Sequence, residues 1–277
     1  MARTIVHLSD LHFGRIDPTI PPALLSAIVA AAPDLVVISG DLTQRARVVE
    51  FQAAAHFLAQ LPAPRLVIPG NHDVPLYNVL RRWLSPLERY RRFITNDLAP
   101  YFEDSEIAAV GVNTARALTF KDGRINRPQI VAAMRRFESC AKDVTRIVVT
   151  HHTFDAPEPD AGGQAAHKLV GRADMAMAGF LLAGVDIILS GHLHRSGVGA
   201  TTERYPLPGR AALLIRAGTA TSTRRRGEVN AFNVIRIARP DIAVECMVWR
   251  PDEAKFALAS AERFTRTDVG WSRVESP

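Results

Sequence analysis

The sequence predicts an α/β protein with a parallel sheet, and three observations support this fold class. Five segments carry an aliphatic, β-branched run that ends in Asp, Asn or His: 4–12 (TIVHLSDLH), 35–41 (LVVISGD), 65–73 (RLVIPGNHD), 146–152 (RIVVTHH) and 186–194 (DIILSGHLH). Apolar runs without polar alternation are typical of strands buried on both faces. Helical patterns separate the first three segments, and alternation of strands with helices favours parallel pairing.

Those helical patterns lie at 21–32 and 45–61. Pro21 and Pro22 begin the first, where the first turn of a helix tolerates proline. In the second, apolar side chains recur at three- and four-residue spacing, at Val48, Phe51, Ala55 and Leu58. Each pattern predicts a helix that packs one apolar face on the sheet.

Composition is that of an ordinary globular protein. The 277 residues are 47% hydrophobic and 22% charged, enough for one large domain with a substantial core. The longest apolar stretch, 23–32, is too short to span a bilayer, and the first residues lack a signal-peptide pattern, so we expect a cytoplasmic protein. Cys140 and Cys246 cannot form a disulfide framework and are expected to be free thiols.

The net charge favours an anionic partner. The formal value is +6, and basic charge attracts small phosphates as well as nucleic acid. Only four of the 34 basic residues are lysine, and an arginine excess can reflect codon usage alone. A nucleic-acid partner is therefore weakly supported, and a small anionic phosphoester fits the charge equally well.

The polar residues that end the five segments predict a metal centre. Parallel strands place their carboxyl ends at one edge of the sheet, where α/β proteins bind ligands. The side chains expected there are two carboxylates, one amide and four imidazoles: Asp10, His12, Asp41, Asn71, His151, His192 and His194. Such a set suits two five- or six-coordinate ions bridged by a carboxylate. Mixed nitrogen and oxygen ligands favour Mn, Fe, Zn or Co over Mg.

The five segments end in short motifs, in the order Asp10-Leu11-His12, Gly40-Asp41, Gly70-Asn71-His72-Asp73, His151 and Gly191-His192-Leu193-His194. This ordered set, within roughly residues 4–236, resembles the calcineurin-like metallophosphoesterase family. Its spelling looks most like that of bacterial class III cyclic nucleotide and glycerophosphodiester phosphodiesterases. The protein phosphatases of the superfamily carry a GDxxDRG pattern, which the GDLTQR of residues 40–45 does not match.

The resemblance implies a role for each matching residue. One ion would be held by Asp10, His12 and His194, and the other by Asn71, His151 and His192. Asp41 would bridge the two ions, and His72 would be the catalytic residue that contacts the phosphoryl or leaving-group oxygen. His152 is an alternative ligand to His151, although one of two adjacent residues normally faces away from a site.

The fold implied by the resemblance is a four-layer αββα sandwich, with two mixed sheets flanked by helices. Segments 107–113, 211–218 and 231–237 have the apolar pattern to supply strands of the second sheet. We assign 1–240 to a metallophosphoesterase domain, and 241–277 to a C-terminal strand (IAVECMVW) and polar tail packed on the same domain.

The segment 77–105 is a candidate helical cap insertion within that domain. Its first part, 77–94, predicts two amphipathic helices whose apolar residues face the body, at Leu80, Trp83, Leu87, Tyr90 and Ile94. In the alternative interpretation the segment covers the metals, and Arg81 and Arg82 steer an anionic substrate toward them.

Other loops supply further candidate contacts with a substrate. Asn113 follows an apolar strand and would lie near the same edge of the sheet. The linker 155–168 has the composition of a loop beside a site, and the arginine run 224–226 could bind a phosphate.

The predicted function is dinuclear-metal-dependent hydrolysis of phosphate esters. A metal-bridging hydroxide would attack phosphorus in line, while the ions and His72 stabilise the developing charge. The expected substrate is a small diester, such as a cyclic nucleotide or a glycerophosphodiester. Phosphomonoesterase, nucleotide-lipid pyrophosphatase and nuclease activities are alternatives. A non-catalytic protein-binding module on the same fold is least favoured, because all eight motif residues are present; the sequence leaves homo-oligomer formation open.

Overall fold

Two sheets lie face to face in the computed structural model, and helices cover both outer faces. The structure describes residues 2–119, 121–155, 169–202, 204–223, 228–268 and 270–274. The four layers and the mixed sheets are those of the predicted αββα sandwich, so the predicted fold class is confirmed.

The first sheet has seven strands: β1 (Arg3–Leu8), β2 (Leu35–Ser39), β3 (Arg65–Ile68), β10 (Ala231–Ala238), β11 (Asp241–Arg250), β12 (Lys255–Thr267) and β13 (Gly270–Val274). Their order is β13-β12-β11-β10-β1-β2-β3. β1, β2 and β3 are parallel, and the remaining pairs are antiparallel.

The second sheet has six strands: β4 (Tyr101–Glu103), β5 (Ile107–Gly111), β6 (Thr145–Val149), β7 (Ile187–Ser190), β8 (Gly197–Ala200) and β9 (Leu213–Arg216). Their order is β4-β5-β6-β7-β9-β8, with four parallel strands in the middle and an antiparallel strand at each edge. β4 belongs to the segment 77–105, so that segment contributes to the sheet as well as supplying helices.

The helices are α1 (Ile20–Ala30), α2 (Val48–Gln60), α3 (Val79–Leu84), α4 (Glu88–Phe93), α5 (Arg127–Phe137) and α6 (Ala173–Leu182). α1 and α2 cover the first sheet, and α5 and α6 cover the second. Short 3₁₀ turns occur at Asn71–Asp73 and Pro251–Glu253. Within the described ranges, no helix combines the length and the apolar character needed to cross a bilayer.

Alternating side chains of the central strands enter different cores. In β2, Val37 packs between the sheets, whereas Val36 and Ile38 pack against the helices. In β6, Ile147 lies between the sheets and Val148 faces the other helical layer. Burial on both faces explains the continuous apolar runs from which these strands were predicted.

Two expectations for the C-terminal part were wrong. The segment 231–237 was expected to be able to supply a strand of the second sheet, but β10 pairs antiparallel with β1 in the first sheet. The predicted polar tail forms β12 and β13, which extend that sheet. On β12, Phe264 enters the core between the sheets while most neighbouring side chains are exposed or half-buried, so the strand lacks a long apolar run.

The orientation of α3 is the reverse of the prediction. Leu80 and Trp83 are 72% and 66% exposed, whereas Arg82 is only 2% exposed. The Arg82 guanidinium donates hydrogen bonds to four backbone carbonyls, those of Pro75, Arg116, Ala117 and Thr119. This planar, five-donor group therefore anchors the helix, and the apolar residues face outward. In α4 and at its start, Tyr90 and Leu87 are buried as predicted.

Candidate metal centre

Loops after strands of both sheets meet at one place. The His12 amide donates to the Asp41 carbonyl over 2.9 Å, which joins the loops after β1 and β2. The Gly191 amide donates to the His151 carbonyl over 3.0 Å, which joins the loops after β6 and β7. The His192 amide donates to Asp10 Oδ2 over 2.9 Å, which joins a loop of the second sheet to a loop of the first. Each loop begins where an apolar strand ends, so the carboxyl ends of the strands carry the polar side chains, as the sequence predicted. The strands belong to two sheets, however, and not to the single parallel sheet expected from the sequence.

Five of the predicted ligands have left-handed backbone conformations. The φ angles are 53° at Asp10, 50° at His12, 53° at Asp41, 72° at His192 and 60° at His194. Non-glycine residues rarely adopt positive φ, and such strain concentrates at functional sites. The turns at these positions end the strands abruptly and aim neighbouring side chains into one space.

Two glycines allow the loops to approach the carboxylates. A Cβ atom at Gly70 would overlap the carboxylate and backbone amide of Asp41. A Cβ atom at Gly191 would overlap Ser9 and approach the Asp10 carboxylate. The glycine of each motif is therefore required by close packing around a predicted ligand.

Asp10, His12 and His194 form the first group of potential ligands. The Asp10 Oδ1 atom lies 3.5 Å from His12 Nε2 and 3.3 Å from His194 Nε2, and the two nitrogens are 3.4 Å apart. Ligand atoms about 2.0–2.2 Å from one ion have separations of this size. All three side chains are buried, and Asp10 Oδ1 has no hydrogen-bond partner in the described structure. Because an unpaired buried carboxylate oxygen is costly, a cation fits this position.

Asp41, Asn71 and His151 form the second group, next to His192. His151 Nε2 lies 3.3 Å from Asp41 Oδ2 and 3.2 Å from Asn71 Oδ1. The rings of His151 and His192 are 5.2 Å apart between centroids. Asp41 Oδ2 is also 3.8 Å from His12 Nε2, so this carboxylate lies between the two groups.

Hydrogen bonds determine which nitrogen of each ring faces the centre. His151 Nδ1 lies 2.8 Å from the Ser39 carbonyl, to which it must donate. His194 Nδ1 lies 2.6 Å from Thr219 Oγ1. A neutral imidazole with Nδ1 protonated keeps its Nε2 lone pair for a metal, so the Ser39 contact prepares His151 as a ligand.

The electrostatics of the centre fit a bound cation. Burial raises the pKa values of Asp10 and Asp41, but the surrounding histidines outweigh it and leave both values below normal. Burial lowers the pKa of His151, and the charge of Asp41 then raises it to about 9. Burial and the charge of His151 lower the pKa of His192 to about 3. A metal ion entering here would replace the proton on His151.

His72 lies at the edge of the two groups. Its amide donates to Asp41 Oδ1 over 2.8 Å, and its ring is 4.8 Å from the His12 ring between centroids. His72 Nδ1 lies 2.8 Å from the Gln44 carbonyl, so Nδ1 donates and Nε2 is on the opposite side of the ring. His72 and Asn71 also line an open cavity of about 290 Å³ beside the centre.

His152 is close to His151 and His192, and the three could form a ligand group by distance alone. Both of its ring nitrogens are already hydrogen bonded, however. Nε2 lies 3.0 Å from the Lys121 carbonyl and Nδ1 lies 2.8 Å from Thr114 Oγ1. Nε2 therefore donates and Nδ1 accepts, which leaves His152 as a support for the loop that contains Lys121.

The structure does not bring the predicted substrate contacts to the cavity beside His72. The Arg82 guanidinium donates its hydrogen bonds to backbone carbonyls. The Arg81 guanidinium forms an ion pair with the Glu88 carboxylate, with 3.9 Å between nitrogen and oxygen. Asn113 accepts from the Ala115 amide and lines a separate cavity of about 140 Å³. The arginine run 224–226 and the linker from residue 156 to 168 lie outside the described residues.

Asp73 is a buried carboxylate beside the centre to which the sequence motifs assigned no role. Its buried carboxylate accepts hydrogen bonds from the backbone amides of Leu42, Thr43 and Gly70 at 2.9–3.2 Å. Burial, with the nearby charge of Asp41, raises the pKa of Asp73 to about 6. Asp73 thus joins the loops that carry Asp41 and Asn71. Its position as the last residue of the GNHD motif is the sequence feature that could have indicated this role.

Comparison with known proteins identifies the family. The family model described as calcineurin-like phosphoesterase matches residues 3–196, which is most of the chain. The chain belongs to the calcineurin-like phosphoesterase family. This confirms the family inferred from the motifs, and the family assignment supports a phosphoric ester hydrolase.

Individual relatives share smaller parts of the sequence or only the fold. The glycerophosphodiester phosphodiesterase GpdQ of Enterobacter lignolyticus (strain SCF1) is 39% identical over 80 residues, which are 25% of this chain and 29% of that protein. Purple acid phosphatase PPD1 of yellow lupin (Lupinus luteus) has a TM-score of 0.72 at 12% identity, over 96% of this chain and 54% of the phosphatase. A PhoD structure has a TM-score of 0.66 at 10% identity, over 100% of this chain and 72% of its own. The chain thus spans less than a third of the GpdQ relative and about half of the phosphatase.

Proposed function

We propose that the protein is a two-metal phosphodiesterase that hydrolyses a small diester, such as a cyclic nucleotide or a glycerophosphodiester. The observation that carries the proposal is the position of Asp41 between two groups of buried potential ligands. One group contains Asp10, His12 and His194, and the other contains His151 with Asn71 and His192 close by.

The side chains of the centre have distinct tasks in this reaction. Asp10 and Asp41 supply negative charge, and the carbonyl of Ser39 keeps the Nε2 lone pair of His151 directed inward. Two divalent ions, when bound, lower the pKa of a water molecule and neutralise phosphoryl oxygens. The donor set of imidazole, carboxylate and amide suits Mn, Fe, Zn or Co.

His72 is the residue we assign to the leaving group. Its Nδ1 donates to the Gln44 carbonyl, which fixes the ring with Nε2 on the opposite side. When Nε2 is protonated, it can donate that proton to the leaving alkoxide. The open cavity beside His72 gives the alcohol portion of a diester room to enter.

Two observations favour a diester over a monoester. The residues of the motifs resemble those of phosphodiesterases, and a short part of the chain matches a glycerophosphodiester phosphodiesterase. Phosphomonoesterase, nucleotide-lipid pyrophosphatase and nuclease activities use the same two-metal chemistry and are outcomes of the test below.

The test begins with metal-free protein, to which Mn, Zn, Fe, Co or Mg is restored separately. We expect metal-dependent hydrolysis of bis(p-nitrophenyl) phosphate that exceeds hydrolysis of p-nitrophenyl phosphate. His72→Ala should retain its bound metal, measured by elemental analysis, and lose about 10²–10³-fold in kcat, because one proton donor is removed. His56→Ala, which changes an exposed histidine of α2, is the matched control and should keep full activity.

Three results would contradict parts of the proposal. A preference for the monoester would identify a phosphatase. Unchanged turnover in His72→Ala would remove His72 from the reaction. Absence of turnover with two ions bound would favour a non-catalytic module on this fold.

A further inference from the structure

The cavity beside His72 has a cationic rim that the proposed reaction does not use. Arg15, Arg45 and Lys121 line it together with Tyr77, and they come from the loops after β1, β2 and β5. Three positive side chains from distant parts of the sequence thus converge next to the metal centre. We call these three residues the cationic rim.

The cationic rim carries uncompensated charge. No acidic residue is among the described residues that line this cavity. In the described part of the chain, the side chains of Arg15, Arg45 and Lys121 form no ion pair and no hydrogen bond; the Arg45 guanidinium instead lies over the Tyr77 ring, 5.2 Å from its centroid. Grouped like charges repel one another, so an anion at this position would stabilise the arrangement.

Histidines at or next to the centre hold the backbone beside two of the three cations. Arg45 directly follows Gln44, whose carbonyl accepts the hydrogen bond from His72. The carbonyl of Lys121 accepts a hydrogen bond from His152, a neighbour of His151. The backbone on both sides of the cavity is therefore fixed relative to the metal ligands.

The amount of positive charge exceeds what one diester requires. A phosphodiester carries a single negative charge, and two divalent ions with Asp10 and Asp41 already leave a formal surplus of positive charge at the centre. The cationic rim adds three more charges on the side of the cavity that faces solvent. The cavity, at about 290 Å³, has room for a further group beyond the phosphoryl at the metals.

We propose that the substrate carries a second anionic group, a phosphate attached to one of its two alcohols, and that Arg15, Arg45 and Lys121 bind it. Tyr77 contributes an apolar surface beside that group and holds Arg45 across the cavity. This proposal rests on the proposed phosphodiesterase function and specifies the class of diester. The second phosphate belongs either to a small molecule or to the next nucleotide of a strand.

Three matched diesters test the proposal. Dithymidine monophosphate (TpT) has one diester and no other phosphate, whereas pTpT and TpTp add a terminal phosphate on one or the other nucleoside. We expect kcat/KM for pTpT or TpTp to exceed that for TpT by at least about 10-fold, the effect of a charge-assisted contact. Higher salt should reduce this preference, because the rim is exposed.

Variants that remove charge from the cationic rim test whether the rim causes the preference for a phosphorylated dinucleotide. In Arg45→Gln and Lys121→Gln, the preference for the phosphorylated dinucleotide should fall several-fold, and Lys121→Arg should restore most of it. Arg47→Gln is the matched control, because Arg47 is an exposed arginine two residues from Arg45 that does not line the cavity. Its preference should equal that of the unchanged protein.

A binding measurement makes the test independent of turnover. Metal-free protein titrated calorimetrically with thymidine 5′-monophosphate should bind it more tightly than thymidine, which lacks a phosphate, and Lys121→Gln should weaken the binding of the monophosphate by about 10-fold. Preferential cleavage of an oligothymidylate strand, sensitive to the same variants, would identify the second phosphate as that of a neighbouring nucleotide.

The experiments distinguish failure of the phosphodiesterase function from failure of the second phosphate site. If bis(p-nitrophenyl) phosphate is hydrolysed but TpT, pTpT and TpTp react equally, the phosphodiesterase function stands and the second anionic group is excluded. A preference that persists in both glutamine variants would also exclude the rim as its binding site. Absence of metal-dependent diester hydrolysis would remove the proposed function itself.

Discussion

A single backbone carbonyl illustrates how much of the centre depends on contacts outside the ligand set. Ser39 ends β2, and its carbonyl accepts from His151 Nδ1 across the interface between the sheets. This contact selects the tautomer that presents Nε2 to Asp41 and Asn71. The sequence motifs predict that His151 is a ligand, but they contain no information about the carbonyl that orients it.

The Asp73 carboxylate holds together the loops that carry Asp41 and Asn71, so its substitution should loosen both loops. Asp73→Asn keeps the shape of the side chain but replaces one acceptor oxygen with a donor that faces backbone N–H groups. We expect a loss of about 1–3 kcal/mol in stability, the cost of unsatisfied buried donors. Because the loop of Asp41 would loosen, saturation of activity should also require more metal, and excess metal should restore turnover.

Urea unfolding and activity measured against metal concentration check both effects. Asp143→Asn, at an exposed acidic residue, is the control and should change neither. An Asp73→Asn protein with the original stability and metal requirement would show that Asp73 does not hold the two loops in place.

At the scale of elements, α3 shows why amphipathic periodicity failed. The pattern correctly predicted a helix, and the usual rule placed its apolar side chains inward. Four carbonyls from the chain around residues 75 and 116–119 reverse that rule, because they satisfy the buried Arg82 guanidinium. Every residue type has a backbone carbonyl, so no sequence pattern could indicate that these four would bind Arg82.

The outward orientation of α3 predicts a fluorescence property. Trp83 is 66% exposed, whereas Trp249 and Trp271 are 4% and 8% exposed. Acrylamide should therefore quench one part of the tryptophan emission readily, and Trp83→Phe should remove that part. Trp249→Phe is the matched control and should leave it. Inaccessible Trp83 fluorescence would mean that α3 packs inward or is covered in solution.

β10 shows a different limit of prediction from sequence. Its apolar residues correctly indicated a strand, yet Phe232 and Val234 face the helices over the first sheet while Ile235 and Ile237 face the other sheet. A strand of this composition fits either sheet. Its partner, β1, lies more than 200 residues away in the chain, so the pairing is a property of the tertiary fold.

At the scale of the whole molecule, the centre joins the two sheets. Loops of the first sheet supply Asp10, His12, Asp41 and Asn71, and loops of the second supply His151, His192 and His194. These residues could be predicted from the sequence because each directly follows an apolar strand. The cationic rim could not, because Arg15, Arg45 and Lys121 belong to three loops that share no spacing or motif.

Because the predicted ligands come from both sheets, we expect metal binding to contribute to global stability. A ligand that binds only the folded state stabilises it by about 2.7 kcal/mol at 100 times its dissociation constant. Restoring Mn or Zn to the metal-free protein should therefore raise Tm by several degrees, about 5 °C or more. The reason is specific to this site, because the ions would neutralise the buried carboxylates of Asp10 and Asp41 at the junction of the sheets.

Two variants separate this effect from metal binding elsewhere. Asp41→Asn removes the charge between the two ligand groups and should abolish most of the metal-dependent rise in Tm, whereas His56→Ala should preserve it. Differential scanning calorimetry with and without a chelator measures the shift. If Asp41→Asn retained the full rise, the stabilising ions would bind outside the junction, and the two sheets would owe their association to the core between them alone.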